Sequence, residues 1–434
     1  MATVRAFGWR FATCALALAL PVQAMAFQGA LPIPLSSTAS SAVGAFYISR
    51  QGSPMWFSPA AAGAPEKLAQ ILRRAPLDGL ASGPRLADQV EAAITRARSD
   101  PAAVAEAEKI LSAAWLLYVE EIRSPSRAMM YGDALVRPGV PRPALVLQQA
   151  AGADSLVRHL DQVSSVNPVY AALRDTAAAD PALAGGPDAA RVMANLDRVR
   201  ALPAHGRFVL VDAAAAKLWM YEDGRPVDSM KVIVGKRSYA TPMIASVIHY
   251  ATFNPYWHVP DNLARSTIAP NVVRQGKRYL ETRGYEVVSA WSDSAQVLSP
   301  DDVDWKAVAA GRESVKVRQL PGRDNSMGKM KFPFPNGEGI YLHDTPSKDL
   351  FAKAQRTLSN GCIRLEDAAR LGRWLMEGAA LPSPSDPEQH VRLPEPVPIF
   401  VTYITAHPEA GTIAFTDDVY GRDAAAAARI AAVR

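Results

Sequence analysis

The chain has 434 residues, 49% of them hydrophobic, and a formal net charge of +5. That length predicts two or three domains with a sizeable core. The basic excess is mild for this length and suits an anionic surface or substrate. No basic run, zinc-knuckle spacing or aromatic–basic interleaving points to nucleic acid.

Arg5 and Arg10 form a cationic start, followed by the apolar stretch FATCALALALPV from Phe11 to Val22. Ala24-Met25-Ala26 is a small-x-small cleavage site, so residues 1–26 are expected to be an export signal and the mature chain to begin at Phe27. The apolar run is shorter than the roughly 20 residues of a spanning helix. Cys14 lies inside this stretch, and Phe11-Ala12-Thr13 ahead of it is a poor lipoprotein box. The expectation is an exported protein with no transmembrane anchor after cleavage. Cleavage leaves Cys362 alone, a single thiol that cannot form an internal disulfide in an oxidising compartment.

Residues 27–43 are rich in Ser, Pro and Ala and are predicted to be a linker. Residues 44–204 are Ala-rich and helical in pattern. In AVAEAEKILSAAWLLYVEEIRS, Leu111, Ala114, Trp115, Tyr118 and Ile122 fall on one helical face, with Pro101 before it and Ser124-Pro125 after it. LAQILRRAPLDGL and NPVYAALRDTAA predict further helices. This half shows no catalytic cluster, and His159 and the acidic residues are expected on solvated helix faces.

From His205 the pattern alternates, and Asp223-Gly224 between two apolar runs predicts a hairpin. Residues 261–315 are mixed and polar and predict an inserted subdomain. GIYLH ending at His343 is a short strand. Thr345 and Pro346 predict a helix to about Thr357, and CIRL from Cys362 is the next strand. EDAARLGRWLMEG predicts a helix with Leu371, Trp374 and Leu375 on one face and Gly378 as its stop, and PVPIFVTYI a closing strand. Residues 406–434 form a C-terminal segment.

His343 and Cys362 thus sit at the ends of successive strands, within side-chain reach if the strands are neighbours. An imidazole beside a thiol raises the reactive thiolate fraction and can later protonate a leaving amine. Gly361 lets the backbone approach a substrate, and N–H groups around Cys362 can converge on an oxyanion. Arg364, two residues on, projects to the same strand face and can clamp a carboxylate. A metal site is disfavoured, because one Cys and one His make only two ligands and His249 and His258 lack ligand spacing. A buried core cysteine is disfavoured by its neighbours Ser359, Asn360 and Gly361.

The combination of His343, a gap, then Ser359-Asn360-Gly361-Cys362-Ile363-Arg364 resembles the active-site signature of the L,D-transpeptidases, the YkuD-type catalytic domain. VGKRSYATPMIASVIHYATFNPYWHVP, RQLPGRDNSMGKMKFPFPNGEGIYLHDTP and SNGCIRLED resemble the large periplasmic branch of that family. Two features depart from its pattern. Asn360 stands where many members have a histidine, and no Asp-Gly-x-x-Gly-Pro pattern of the usual peptidoglycan-binding module is found.

The resemblance implies an α+β protein. A helical scaffold domain (44–204) precedes a mainly β, sandwich-like catalytic domain (205–405), with residues 261–315 capping its cleft. It implies Cys362 as nucleophile and His343 as base, with no cofactor. Ser359, Asn360, Gly361 and Arg364, together with Tyr256, Trp257 and Tyr341, form the candidate substrate-binding set. It also implies peptidoglycan stem peptides as partners, a tetrapeptide donor and an acceptor amine giving a 3→3 cross-link with loss of D-Ala. Other wall-synthesis proteins are candidate partners, and the expected location is the periplasm. The same Cys/His site would serve an L,D-carboxypeptidase or an enzyme attaching proteins to the wall. The non-enzyme reading is a wall-binding scaffold. Papain-like peptidases are disfavoured because they place the cysteine before the histidine.

Overall fold

The computed structural model describes residues 33–180, 183, 188–292, 294–382 and 385–426. The expected export signal, with Cys14 and Ala24-Met25-Ala26, lies outside these residues. So do residues 27–32 of the expected linker.

The N-terminal half is helical: α1 (Ser37–Ser49), α2 (Ala64–Arg74), α3 (Gly83–Ser99), α4 (Val104–Ile122), α5 (Pro143–Ala151), α6 (Leu156–Ser165), α7 (Pro168–Ala179) and α8 (Ala189–Val199). The five residues predicted to share a face of α4 are all 2% exposed or less, so this helix is the hydrophobic axis of the half. The linker expectation is corrected from Ser37 onward. Ser36 caps α1 by accepting the Ala39 N–H at 3.2 Å. Ala39, Val43, Phe46 and Tyr47 lie on one buried face whose spacing is helical. The Ser/Ala composition masked that stripe.

The acidic residues of this half are not all solvated either. Glu108 is buried and accepts hydrogen bonds from the Tyr47 hydroxyl (2.7 Å), the Met55 N–H (2.9 Å) and the Phe57 N–H (2.9 Å). Asp78, fully buried, accepts from the hydroxyls of Tyr118 (2.9 Å) and Tyr170 (2.7 Å). His159 is half-buried with its ring against Trp115, and burial lowers its pKa.

The C-terminal half is strand-rich. The large sheet contains β1 (Met130–Tyr131), β2 (Arg207–Asp212), β3 (Lys217–Glu222), β4 (Arg225–Gly235) and β5 (Ile244–Phe253). The capping unit adds β6 (Trp257–His258), β7 (Tyr285–Val288), β8 (Val297–Leu298) and β9 (Lys316–Gln319). The large sheet then resumes with β10 (Met330–Pro333), β11 (Tyr341–His343), β12 (Thr357–Ser359), β13 (Ile363–Leu365) and β14 (Gln389–Thr402). A final hairpin joins β15 (Ala406–Glu409) to β16 (Thr412–Phe415). The β3–β4 turn is the predicted hairpin, with Asp223 and Gly224 both at positive φ (46° and 79°), as a two-residue type I′ turn requires.

The sheet order runs β5-β10-β11-β13-β4-β3-β2-β14, and β14 also pairs with β5. The pairing therefore closes on itself. One strand makes the closure possible: Ile399 of β14 is registered with Val209 of β2 on one side and Ser246 of β5 on the other. Val209 and Val211 point into the closed core, while Phe208 and Leu210 point outward into the core of the helical half. Both faces of β2 are thus apolar, and the two halves share a continuous interface.

The inserted unit has its own core, including Val259, Ile268, Leu280, Val287, Val308 and Val317. Its sheet order is β6-β9-β7-β8. Among the described residues, no helix is long and apolar enough to cross a membrane.

Replacing Glu108 with Ala strands two donors inside the helical half, the Met55 and Phe57 N–H groups, while the Tyr47 hydroxyl keeps Ser112 at 2.8 Å. We expect Glu108→Ala to lower the unfolding free energy by about 3 kcal/mol in urea titration. A loss under about 1 kcal/mol would show that water reaches those donors.

Candidate active site

The predicted helix between His343 and Cys362 is only a short 3₁₀ turn, Lys348–Ala352, and this corrects the sequence expectation. Two anchors draw the chain out of helical geometry. The Arg356 guanidinium donates to the carbonyls of Ala215 (3.2 Å) and Ala216 (3.1 Å). Strand β12 then pairs with β4. Thr345 still caps locally, accepting the Ser347 N–H at 3.3 Å.

The connection nonetheless delivers β11 and β13 as parallel neighbours, with Leu342 opposite Ile363 and His343 opposite Arg364. Leu342 and Ile363 are fully buried in the closed core. By alternation, Tyr341, His343, Cys362 and Arg364 share the other face. The structure thus brings these four candidate side chains onto one face.

His343 is buried, 3% exposed. Its Nδ1 lies 2.6 Å from the Asp344 carbonyl oxygen. A carbonyl can only accept, so Nδ1 carries the proton and Nε2 presents a lone pair. Burial first, and the nearby Arg364 guanidinium second, push the imidazole pKa down to about 4. The resting imidazole is therefore neutral, in the tautomer a general base needs.

Cys362 is half-buried. Its thiol donates to the Gly339 carbonyl at 3.7 Å. Burial raises its pKa, opposed by the Tyr341 backbone N–H and by Arg364, both of which favour the thiolate. The resting site is thus a neutral thiol and a neutral imidazole, not a preformed ion pair. Arg364 is half-buried, and among the described residues it makes no hydrogen bond or ion pair. The acidic residues nearest in sequence are engaged elsewhere. Glu366 accepts from the Lys231 N–H (3.0 Å), and Asp367 caps the following helix through the Arg370 N–H (2.9 Å).

The backbone around Cys362 is pinned on both sides. Ser359, 2% exposed, donates its hydroxyl to the Cys362 carbonyl at 2.6 Å and accepts the Gly361 N–H at 3.1 Å. Its hydroxyl braces the turn from beneath. Thr241, fully buried, donates to the Gly361 carbonyl at 2.7 Å and accepts the Gly235 N–H at 2.8 Å. Gly361 sits at φ +119°, and a Cβ there would lie 3.1 Å from Ile340 Cδ1. Sequence reasoning missed Thr241, whose partner is 120 positions away and leaves no local signal.

The remaining candidates are dispersed. Asn360 is exposed at the turn. Tyr341 is beside Cys362, with its phenol pKa raised first by burial and then by the negative charge that Cys362 carries as a thiolate. Tyr256 is half-buried, its N–H donating to Glu388 at 2.7 Å and the Arg318 guanidinium 4.3 Å from its ring. Trp257 instead packs on the core of the inserted unit and against Tyr285, so its ring is a structural contact. The His258 ring lies 4.7 Å from that of Trp291, tilted by 41°, and His249 bonds to Asp133 at 2.9 Å. A groove lined by Arg207, Arg370, Trp374 and Glu377 includes neither His343 nor Cys362.

Residues 206–399, which hold all of this geometry, match the YkuD family, an L,D-transpeptidase catalytic domain. Residues 206–399 are a YkuD L,D-transpeptidase catalytic domain. Residues 41–176 match a family described as a scaffold domain. A presumed L,D-transpeptidase of Haemophilus influenzae is 26% identical over 321 residues, 71% of this chain. The chain spans 64% of the length of that curated relative. Two solved L,D-transpeptidases also align. One from Mycobacterium smegmatis is 13% identical, covering 46% of this chain and 60% of its own, with a TM-score of 0.23. A mutant from Enterococcus faecium is 11% identical, covering 45% and 50%, with a TM-score of 0.21.

The buried imidazole of this L,D-transpeptidase domain has a consequence for stability. From pH 6.5 down to about 4 the unfolded chain binds a proton at His343 that the folded protein excludes, so stability falls as pH falls through that window. We expect His343→Gln to flatten the pH dependence of unfolding free energy between those limits. An unchanged slope would place the folded pKa near its ordinary value.

Proposed function

We propose that this protein is an exported, periplasmic L,D-transpeptidase that forms 3→3 peptidoglycan cross-links through a thioester on Cys362. The observation that carries the reading is the shared face of β11 and β13. It holds a thiol, a neutral imidazole whose Nδ1 is taken by the Asp344 carbonyl, and a guanidinium without an anionic partner among the described residues.

In this reading, the Cys362 sulfur attacks the carbonyl carbon of the third residue of a tetrapeptide stem as His343 Nε2 takes the thiol proton. The Cys362 N–H, oriented by the pinned carbonyls on either side, donates to the developing oxyanion. The C–N bond to D-Ala then breaks, and the imidazolium returns the proton to the leaving amine. The acceptor stem's amine attacks the thioester, passes a proton to His343 and releases the Cys362 sulfur. Arg364 binds a donor carboxylate, and Tyr341 and Tyr256 flank the cleft. The inserted unit is the lid, with the exposed Trp291 presented to the polymer. The neutral pair avoids holding two buried charges at rest, and both charges develop only when substrate is bound.

The test is mass spectrometry of the purified protein with tetrapeptide muropeptides. The expected product is a cross-linked dimer with loss of D-Ala, absent in Cys362→Ala at unchanged melting temperature. Trimmed tripeptide alone would make the protein an L,D-carboxypeptidase. Cross-linking by folded Cys362→Ala would overturn the mechanism.

For Arg364→Ala we expect kcat/KM for the donor to fall by about 10- to 100-fold, the loss of one charge-assisted hydrogen-bonding group. A lowered melting temperature with normal kinetics per folded molecule would assign Arg364 to the surface.

A further inference from the structure

The segment after the last hairpin, Asp418–Asp423, lies far from Cys362 in sequence and matches neither family. It is nonetheless tied to both halves of the molecule. On one side it reaches the backbone that pins the nucleophile. The Tyr420 hydroxyl donates to the Gly235 carbonyl at 2.5 Å, and Arg422 Nη2 donates to the Thr241 carbonyl at 2.8 Å. Gly235 and Thr241 are the two ends of the loop whose threonine hydroxyl holds the Gly361 carbonyl. Gly235 is also registered with Ser359, the brace on the Cys362 carbonyl.

On the other side the segment is held by α8. Arg198, 1% exposed, donates to Asp423 at 2.7 Å and to the Tyr403 carbonyl at 3.0 Å. Arg191 donates to the other Asp423 oxygen at 2.7 Å, which also accepts from Thr405 at 2.8 Å. Asp418 closes the segment internally, accepting the N–H groups of Arg422 and Asp423, each at 2.8 Å. The Tyr403 hydroxyl donates to Asp418 at 2.9 Å and accepts the Tyr420 N–H at 2.9 Å. The Arg422 guanidinium sits 5.0 Å from the Tyr420 ring centroid and 5.2 Å from that of Tyr403. Arg422 Nη1 is buried without a hydrogen-bond partner among the described residues, but the other bonds of the chain are mostly charge-assisted and fix its geometry, so it transmits position.

We propose that Asp418–Asp423 is a brace for the nucleophile turn, with Tyr420 and Arg422 as positioning residues anchored on the helical half through Arg198. The inference rests on Cys362 being the nucleophile. It assigns the helical half a part in catalysis, since α8 sets where the brace sits. The brace acts on the orientation of the Cys362 peptide and not on the thiol itself.

That distinction supplies the experiment. The full-length Tyr420→Phe/Arg422→Ala double variant and, separately, Arg198→Gln are assayed for two reactions of Cys362. Acylation by a carbapenem needs the oriented peptide N–H, whereas alkylation by iodoacetamide does not. We expect acylation to fall by about 10- to 100-fold in the double variant. Alkylation should stay within about twofold, so the acylation-to-alkylation ratio falls. Arg422→Lys, which keeps a donor, should recover part of that ratio. Arg198→Gln should move it in the same direction as the double variant. A ratio unchanged in the folded double variant overturns the brace, as does a parallel loss of both reactions that tracks unfolding. Wild-type protein that is acylated but leaves muropeptides untouched would instead refute the substrate assignment and leave the ratio readable.

Discussion

Two strands of three residues, Tyr341–His343 and Ile363–Leu365, meet in parallel with Leu342 opposite Ile363, and that register decides which side chains can react together. A slip of one residue would turn Cys362 and His343 toward opposite sides of the sheet. The buried pair Leu342 and Ile363 holds the register, because either side chain on the outer face would forfeit roughly 2 kcal/mol of apolar burial. Parallel neighbours need a crossover, here the stretch from Asp344 to Asn360. That stretch is held by backbone and guanidinium contacts more than by helical structure.

Burial sets the chemistry of the face. Desolvation drives His343 and Cys362 toward their uncharged forms, and Arg364 acts on them in opposite senses, disfavouring the imidazolium and favouring the thiolate. Proton transfer from thiol to imidazole is therefore uphill in the empty protein. A substrate carboxylate beside Arg364 would cancel the part of that cost which the guanidinium imposes on His343. In the proposed reaction, binding and activation would be coupled through one guanidinium that has no hydrogen-bond or ion-pair partner among the described residues.

Much of this was legible in the sequence because it depends on local pattern. Asp223-Gly224 specified its own turn, the α4 stripe specified its buried face, and Gly361-Cys362 after His343 carried the resemblance to the family. What escaped depends on distance or on context. Thr241 and Gly361 are 120 positions apart. The helix expected after Thr345 has a sound cap, but tertiary anchors at Arg356 and β12 override the local propensity. Ser359 stands beside the thiol in sequence, so proximity cast it as a substrate contact, whereas its burial makes it a support. Trp257 packs on the core of the inserted unit, a contact that its aromatic stretch did not single out. An aromatic run near a cleft cannot show which ring faces inward. Residues 37–43 hid the start of a helix because only two of its four buried positions, Ala39 and Val43, fall there, among serine and threonine.

Strand β14 has a temporal consequence. It lies after Cys362 in the chain, yet it fills the gap between β2 and β5, with Ile399 meeting Val209 and Ser246 at once. A chain made from its N-terminus places both flanks of the sheet, the histidine and the thiol before the strand that joins them exists. Contacts spanning so much sequence form late and slowly. The nascent polypeptide therefore carries every reactive group while lacking the closed sheet that aligns them. Alignment of the His343 and Cys362 strands within a closed sheet is deferred until β14 has been made.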